Sequence, residues 1–403
     1  MVPLLFVKEQ LEGFRRAIER VSESAFPYDG PEAAVNTLRS RVDRLDAAIE
    51  RAMHPDRDAT TARQACEAAH HDLQAYLPLL GFLLRSTNTR NAFEVCGPLQ
   101  RLISRFLDGR RLILSSEWQF APFTEDYQGF GDFVFIGFPA SEANNPLLLP
   151  LAAHELGHPV WRKRAQSFRA EIQSWLKGNP QASAGAAPEH DADRWIAEWA
   201  ARKLEEAFCD CLAVRIFGES FLHAAAYMLA SRPSQAGDSD IRYLKLKERI
   251  ALVVRAARKY GVKVPADYTE QFESDPCGDL FTPPPDPDVE RAEQCALVFV
   301  DRMILEAESV AQDAKPEYDL PSKKQVNEIK RAFELRVPPS NPASLAAILN
   351  AAWERYLKIH PRWNSGKPPD EQDFETRRRR TRELRELVLK SIEVFEYHQR
   401  LAN

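Results

Sequence analysis

Apolar residues recur every three or four positions through most of the chain, so helices are the expected element almost throughout. Val35, Leu38, Val42, Leu45 and Ile49 alternate spacings of three and four, the a/d pattern of a helical hairpin or short coiled coil. Asp29-Gly30-Pro31 reads as its turn and start, and His54-Pro55-Asp56 as its stop. Two further helical stretches follow near residues 60–86 and 92–107. The pattern changes after Gly109. Arg111 to Ser115, with Trp118 to Phe120 just beyond, reads as extended chain. Phe133-Val-Phe-Ile-Gly-Phe138 is the clearest strand, aromatic and β-branched, bounded by Gly131 and Pro139.

Helical period resumes at Asn145-Pro146 and dominates to the end. A small-residue loop at 178–190, a stiff proline-rich connector at 282–288 and breaks at 337–342 and 361–370 interrupt it. The expected fold class is mainly α (α+β) with one small β-sheet. Three regions follow: a helical N-terminal region at 1–108, a core at 109–281 and a helical C-terminal region at 282–403.

Composition narrows the classes. Glycine is scarce, 16 against 28 prolines, which argues against glycine-loop architectures and many-turned all-β folds. Lys plus Arg number 54 and Asp plus Glu 59, for a net charge of −5, where a dedicated nucleic-acid binder would carry a basic excess. The one basic block, Arg377 to Arg380, has acidic residues just upstream and an apolar face at Leu384, Leu387, Val388 and Ile392. It reads as a solvated amphipathic helix, and nucleic acid is disfavoured as a partner. The six cysteines form no Cys-x-x-Cys pair and read as reduced thiols. No stretch approaches the roughly 20 apolar residues that span a bilayer, and the first residues lack a basic lead. No membrane association and a cytoplasmic location are the expectation.

The chemistry concentrates at Leu151-Ala-Ala-His154-Glu155-Leu-Gly-His158. Positions i and i+4 of a helix share a face, so His154 and His158 can hold one metal ion together. Glu155 lies about 100° around the helix, beside the ion yet outside the ligand row. A second helix is expected from Asp191-Ala-Asp193 to Gly218, carrying Glu206-Ala-Phe-Cys-Asp210. Trp195, Trp199, Glu206, Asp210, Ala213 and Phe217 share one stripe of it. Two carboxylates on an otherwise buried stripe are costly unless paired. A zinc ion accounts for Glu206, and the Nδ1–H of a ligand histidine for Asp210. Glu205 is the other candidate ligand, but only Glu206 has an aspartate four residues on. Cys209 and Cys211 point nearly opposite ways on such a helix, so both cannot reach one ion.

His154-Glu155-x-x-His158 followed by Glu206-x-x-x-Asp210 resembles the gluzincin branch of zinc metallopeptidases, over roughly residues 110–260. The resemblance implies a zincin-like catalytic core, Zn2+ bound by His154, His158 and Glu206, Glu155 as general base and then acid, and Asp210 orienting His154. It also implies an oxyanion donor beyond the third ligand, with His223, Tyr227, Arg242, Tyr243 and Arg249 as candidates. The strand at 133–138 would match the edge strand that holds extended peptide by β-augmentation. Pro159 departs from the pattern: with no N–H at that position, the metal helix is expected to kink or stop there.

The expected function is peptide-bond hydrolysis by a zinc-dependent metallopeptidase acting on a protein or peptide substrate. A regulatory protein partner reached through the helical flanks is expected alongside. Two alternatives come from other classes. One is a zinc-binding helical scaffold or signalling protein without catalysis; the other is a nucleic-acid-associated regulator using the Arg377 region.

Overall fold

The repeat beginning at Val35 becomes the inner face of a long helix in the computed structural model, which describes residues 2–54, 58–179, 192–230, 241–272, 286–314, 320–342, 344–360 and 371–402. The chain divides into two compact units, Met1–Asn144 and Asn145–Asn403.

The first unit opens with α1 (Val2–Ser22), α2 (Asp29–Ala52), α3 (Ala59–Ser86) and α4 (Ala92–Phe106). Val35, Leu38, Val42 and Ile49 of α2 are buried against Leu11 and Ile18 of α1 and Leu79 and Phe82 of α3 in one apolar cluster. Its sheet has β1 (Arg111–Glu117), β2 (Phe123–Glu125) and β3 (Phe133–Pro139) in the order β1-β3-β2. β1 runs parallel to β3 over its whole length, and β2 runs antiparallel to it.

β3 is therefore central, not an edge strand. Its neighbours take the hydrogen bonds that an added peptide would need, β1 throughout and β2 opposite Phe135 to Gly137. The outer side of β1 is closed as well. The Tyr28 hydroxyl donates to the Leu114 carbonyl and accepts from the Leu114 N–H, while Gln100 Oε1 accepts from Leu112 N–H at 2.7 Å. Side chains thus satisfy a strand edge that would otherwise invite pairing. Gly30 permits this approach, because a Cβ there would lie 2.2 Å from the Leu112 carbonyl oxygen. Trp118 to Phe120, expected to be extended, instead form bends after β1, and both aromatic rings are exposed.

The second unit contains α5 (Leu151–Trp161), α6 (Ala165–Gly178), α7 (Ala192–Phe217), α8 (Glu219–Leu229), α9 (Leu246–Lys259), α10 (Pro287–Asp313), α11 (Lys323–Glu334), α12 (Leu345–Ile359) and α13 (Glu371–Ala402). Among the described residues the fold class is mainly α with one small sheet. α7 sits at the centre, packed by α5, α6, α9 and α10. From Ile196 onward it is buried nearly all round, so the charges it carries there, Lys203, Glu206 and Asp210 among them, must be paired. Its first turn emerges: Trp195 is exposed, so the buried stripe begins after it. Pro159 neither stops nor shortens α5 at His158, since the helix continues to Trp161. The proline sits within the last turn, where it sacrifices one backbone bond and leaves the ladder before it intact. The proposed loop at 178–190 and the connector at 282–288 fall largely outside the described residues, as does the break at 361–370.

Candidate metal centre

Two helices bring the chemistry together because one residue between them lacks a side chain. Gly157 of α5 lies against Cys209 of α7, and a Cβ on it would stand 2.8 Å from the Cys209 Cα. That close approach sets His154 and His158 opposite Glu205, Glu206 and Asp210. Leu151, Ala152, Ala153 and Leu156 anchor the rest of α5 in the core, and Cys209 and Cys211 are buried packing thiols.

The two imidazoles are held in the same manner. His154 Nδ1 lies 2.8 Å from Asp210 Oδ1, and His158 Nδ1 lies 2.9 Å from Glu205 Oε1. Each Nδ1 is thereby committed to a carboxylate, and each Nε2 is directed toward Glu206. The distances are 3.1 Å from His154 Nε2 to Glu206 Oε2 and 3.9 Å from His158 Nε2 to Glu206 Oε1. One donor atom from each of His154, His158 and Glu206 lies within 4.8 Å of the others, so the three form a candidate metal-binding cluster. Glu155 is buried beside it, its Oε2 4.0 Å from His158 Nε2.

Charge explains how the cluster is held together. Burial alone would push the His154 imidazole down, but Asp210 and Glu206 overcome it and raise its pKa to about 10. Burial likewise opposes charging of His158, and Glu205 and Glu206 reverse the effect. Glu206 is held below the usual carboxylate range despite its burial, through His154 and His158. Asp210 is lowered further still, against burial, by Arg249 and His154. Arg249 grips Asp210 with both arms of its guanidinium, Nε to Oδ2 at 2.6 Å and Nη2 to Oδ1 at 2.9 Å. Glu155, Glu205, Glu206 and Asp210 thus converge on two histidines with Arg249 as the fixed positive charge. In this state the histidines supply the missing charge as imidazolium.

The oxyanion candidates separate into two groups. Tyr243 packs against Arg249, whose guanidinium carbon is 4.8 Å from the ring centre, and against Arg242 at 5.4 Å. Burial first, then the charges of Glu206 and Glu155, raise the Tyr243 phenol, so it stays a proton donor through the neutral range. His223 and Tyr227 belong to another cluster, around Trp353: the His223 ring stacks on the indole at 5.5 Å and Tyr227 meets it edge-on at 6.4 Å. Arg249, another of the oxyanion candidates, is engaged with Asp210.

The segment bearing Tyr243 is tied down by a buried ion pair. Lys203 Nζ of α7 and Glu293 Oε2 of α10 lie 2.9 Å apart, with side chains only 2% and 6% exposed. Lys203 donates to the Tyr243 carbonyl, and Glu293 Oε1 accepts from the Lys245 N–H at 2.8 Å. Sequence reasoning missed this pair, and it missed the part Glu205 plays beside His158. The Glu205 signal was present: on a helix, residues one position apart diverge by about 100°, so Glu205 and Glu206 reach the two sides of one histidine pair.

Comparison with protein-family models, curated proteins and solved structures finds no match. Among the described residues no helix is long and apolar enough to cross a membrane.

Proposed function

We propose that the chain is a zinc-dependent metallopeptidase, with His154, His158 and Glu206 as metal ligands. The observation that carries the reading is the paired backing of the two imidazoles, Asp210 on one Nδ1 and Glu205 on the other. Ligand histidines generally need such partners to fix the tautomer and ring orientation. The donor set fits. Two imidazoles and one carboxylate, with one donor atom from each within 4.8 Å of the others, are a donor set that would hold zinc. Four carboxylates facing one arginine also favour a dication over two protons.

Bound there, zinc supplies a Lewis acid and a water acidified to near neutrality. The residues of the chain do the rest. Glu155, buried and adjacent, accepts the water proton and carries it to the leaving amine. Tyr243, protonated and next to the carboxylates, donates a hydrogen bond to the oxygen on which negative charge develops. Asp210 and Glu205 hold the imidazoles, and Arg249 holds Asp210.

The test is metal content by mass spectrometry, followed by cleavage of a denatured protein substrate. One zinc per chain and proteolysis are expected, with Glu155→Gln retaining zinc and losing cleavage, and Tyr243→Phe retaining zinc with cleavage slowed about 100-fold. Absence of metal from folded, zinc-supplied protein would refute the reading. Bound zinc with no cleavage of any substrate tried would favour the catalytically inactive zinc-binding scaffold.

A further inference from the structure

We propose that a groove among α11, α12 and α13 docks an acidic segment of a partner protein bearing apolar anchors. This goes beyond the zinc reading and stands without it. The groove encloses about 710 Å³, within the range of pockets that take a small ligand or a few side chains. Its floor is apolar, with Phe333 and Leu384 buried and Leu387 half-buried. Its rim carries Arg336, Arg355 and Arg380.

These three arginines are unusual in this chain. The preceding residues of the basic block, Arg377, Arg378 and Arg379, pair with Asp373, Glu375 and Glu383 along α13. Among the described residues, Arg336, Arg355 and Arg380 have no such carboxylate partner. Three unneutralised guanidiniums around one apolar floor, in a chain of net charge −5, form a local field of the opposite sign to the whole.

Backbone geometry adds an independent observation. The Val337 N–H bonds to the Ala332 carbonyl and the Arg336 N–H to that of Phe333, a Schellman ending for α11. The residue at its centre must be left-handed, and glycine is the usual choice. α9 ends by the same motif with Gly261 at φ 72°, whereas α11 places Arg336 there at φ 59°. A side chain retained where glycine is cheaper points to a use for that side chain.

The lining also selects the ligand. Glu383 and Glu386 face the same space. They repel a phosphodiester chain, which has few donors to offer them. A peptide brings carboxylates for the arginines, N–H groups for the glutamates and apolar side chains for the floor.

The test is selection of phage-displayed random dodecapeptides on the full-length protein. Enrichment of sequences with two or more Asp or Glu around apolar residues is expected. A synthetic peptide from that enrichment should bind Arg355→Gln/Arg380→Gln about 100-fold more weakly, tenfold per arginine. Arg336→Gly separates function from folding: it should weaken the peptide about tenfold while its Tm holds or rises. Enrichment without acidic bias, equal binding by the variants, or displacement of the peptide by a single-stranded 20-mer DNA or by phosphatidylserine vesicles at lower concentration would overturn the proposal.

Discussion

Replacing Gly157 by alanine is a severe test of how the proposed metal centre is built, because two effects of opposite sign compete. Alanine in place of glycine within a helix stabilises it by up to about 1 kcal/mol. Here the added Cβ would meet Cys209 at 2.6 Å from Sγ, 2.9 Å from Cβ and 2.8 Å from Cα. Carbon pairs rest at about 3.5–4.0 Å, so α5 and α7 must part by roughly 1 Å at this point. The Sγ can rotate away, but the backbone carbon cannot. Overpacking of this kind costs about 1–3 kcal/mol. The separation also stretches His154–Asp210 and His158–Glu205, now 2.8 and 2.9 Å, toward the limit of a useful hydrogen bond.

Weakening those charge-assisted bonds, the first buried and the second partly so, adds about 1–3 kcal/mol. The net expectation is a loss of about 1–5 kcal/mol and zinc affinity lower by 10–100-fold. Urea denaturation of the metal-free protein and competition for zinc with a chromophoric chelator measure the two. Gly157→Ala/Cys209→Ala should recover little, since the clash with the backbone of residue 209 persists. Unchanged urea midpoint and zinc affinity in Gly157→Ala, or full recovery in the double variant, would refute the claim that close backbone approach at Gly157 sets the ligand geometry.

Two further outcomes follow from the charge network. Asp210→Ala leaves Arg249 buried without its carboxylate and is expected to lower the urea-derived stability by about 3–5 kcal/mol. Asp210→Asn keeps the shape and should lose less stability while still weakening zinc. The second concerns protons. His154 is raised to about 10 and His158 is also raised, so zinc would compete with protons at both. Calorimetric titration at pH 7 in buffers of different ionisation enthalpy should show release of about one to two protons, with affinity climbing as pH rises toward 10. Without metal the sign reverses: stability from the raised His154 is complete below about 6.5 and is lost as pH rises through about 10. No proton release at pH 7 would mean that His154 is neutral in the metal-free protein.

What the sequence made legible was local. The period of three and four locates α2 from Val35 to Ile49, and the β-branched run locates β3, because both are set by neighbours along the chain. The candidate metal-binding cluster was legible for the same reason, since i and i+4 on one helix and a carboxylate pair on another are short-range patterns. Pairing was not. The central place of β3 depends on β1 lying beside it in parallel, and no feature of Phe133 to Phe138 announces that. The hold of Arg249 on Asp210 spans 39 residues, and Lys203 with Glu293 spans still more of the chain. Nothing local distinguishes these charges from solvated ones. Pro159 departs from expectation because a proline in a last turn costs one bond, not the helix.

The buried pair of Lys203 and Glu293 bears on when the proposed metal centre comes into being. α7 holds the carboxylates of the centre, yet its broadest packing is with α10, a helix that begins at Pro287. A nascent chain that has delivered residues 145–280 to solution carries every proposed ligand and the base. It still lacks the anion that neutralises Lys203 and fixes the Lys245 amide, so a chain ending at residue 280 should purify without zinc. Synthesis and the proposed metal capture would thereby be ordered in time. On the zinc reading, α10 would have to be made before the centre is firm enough to keep an ion.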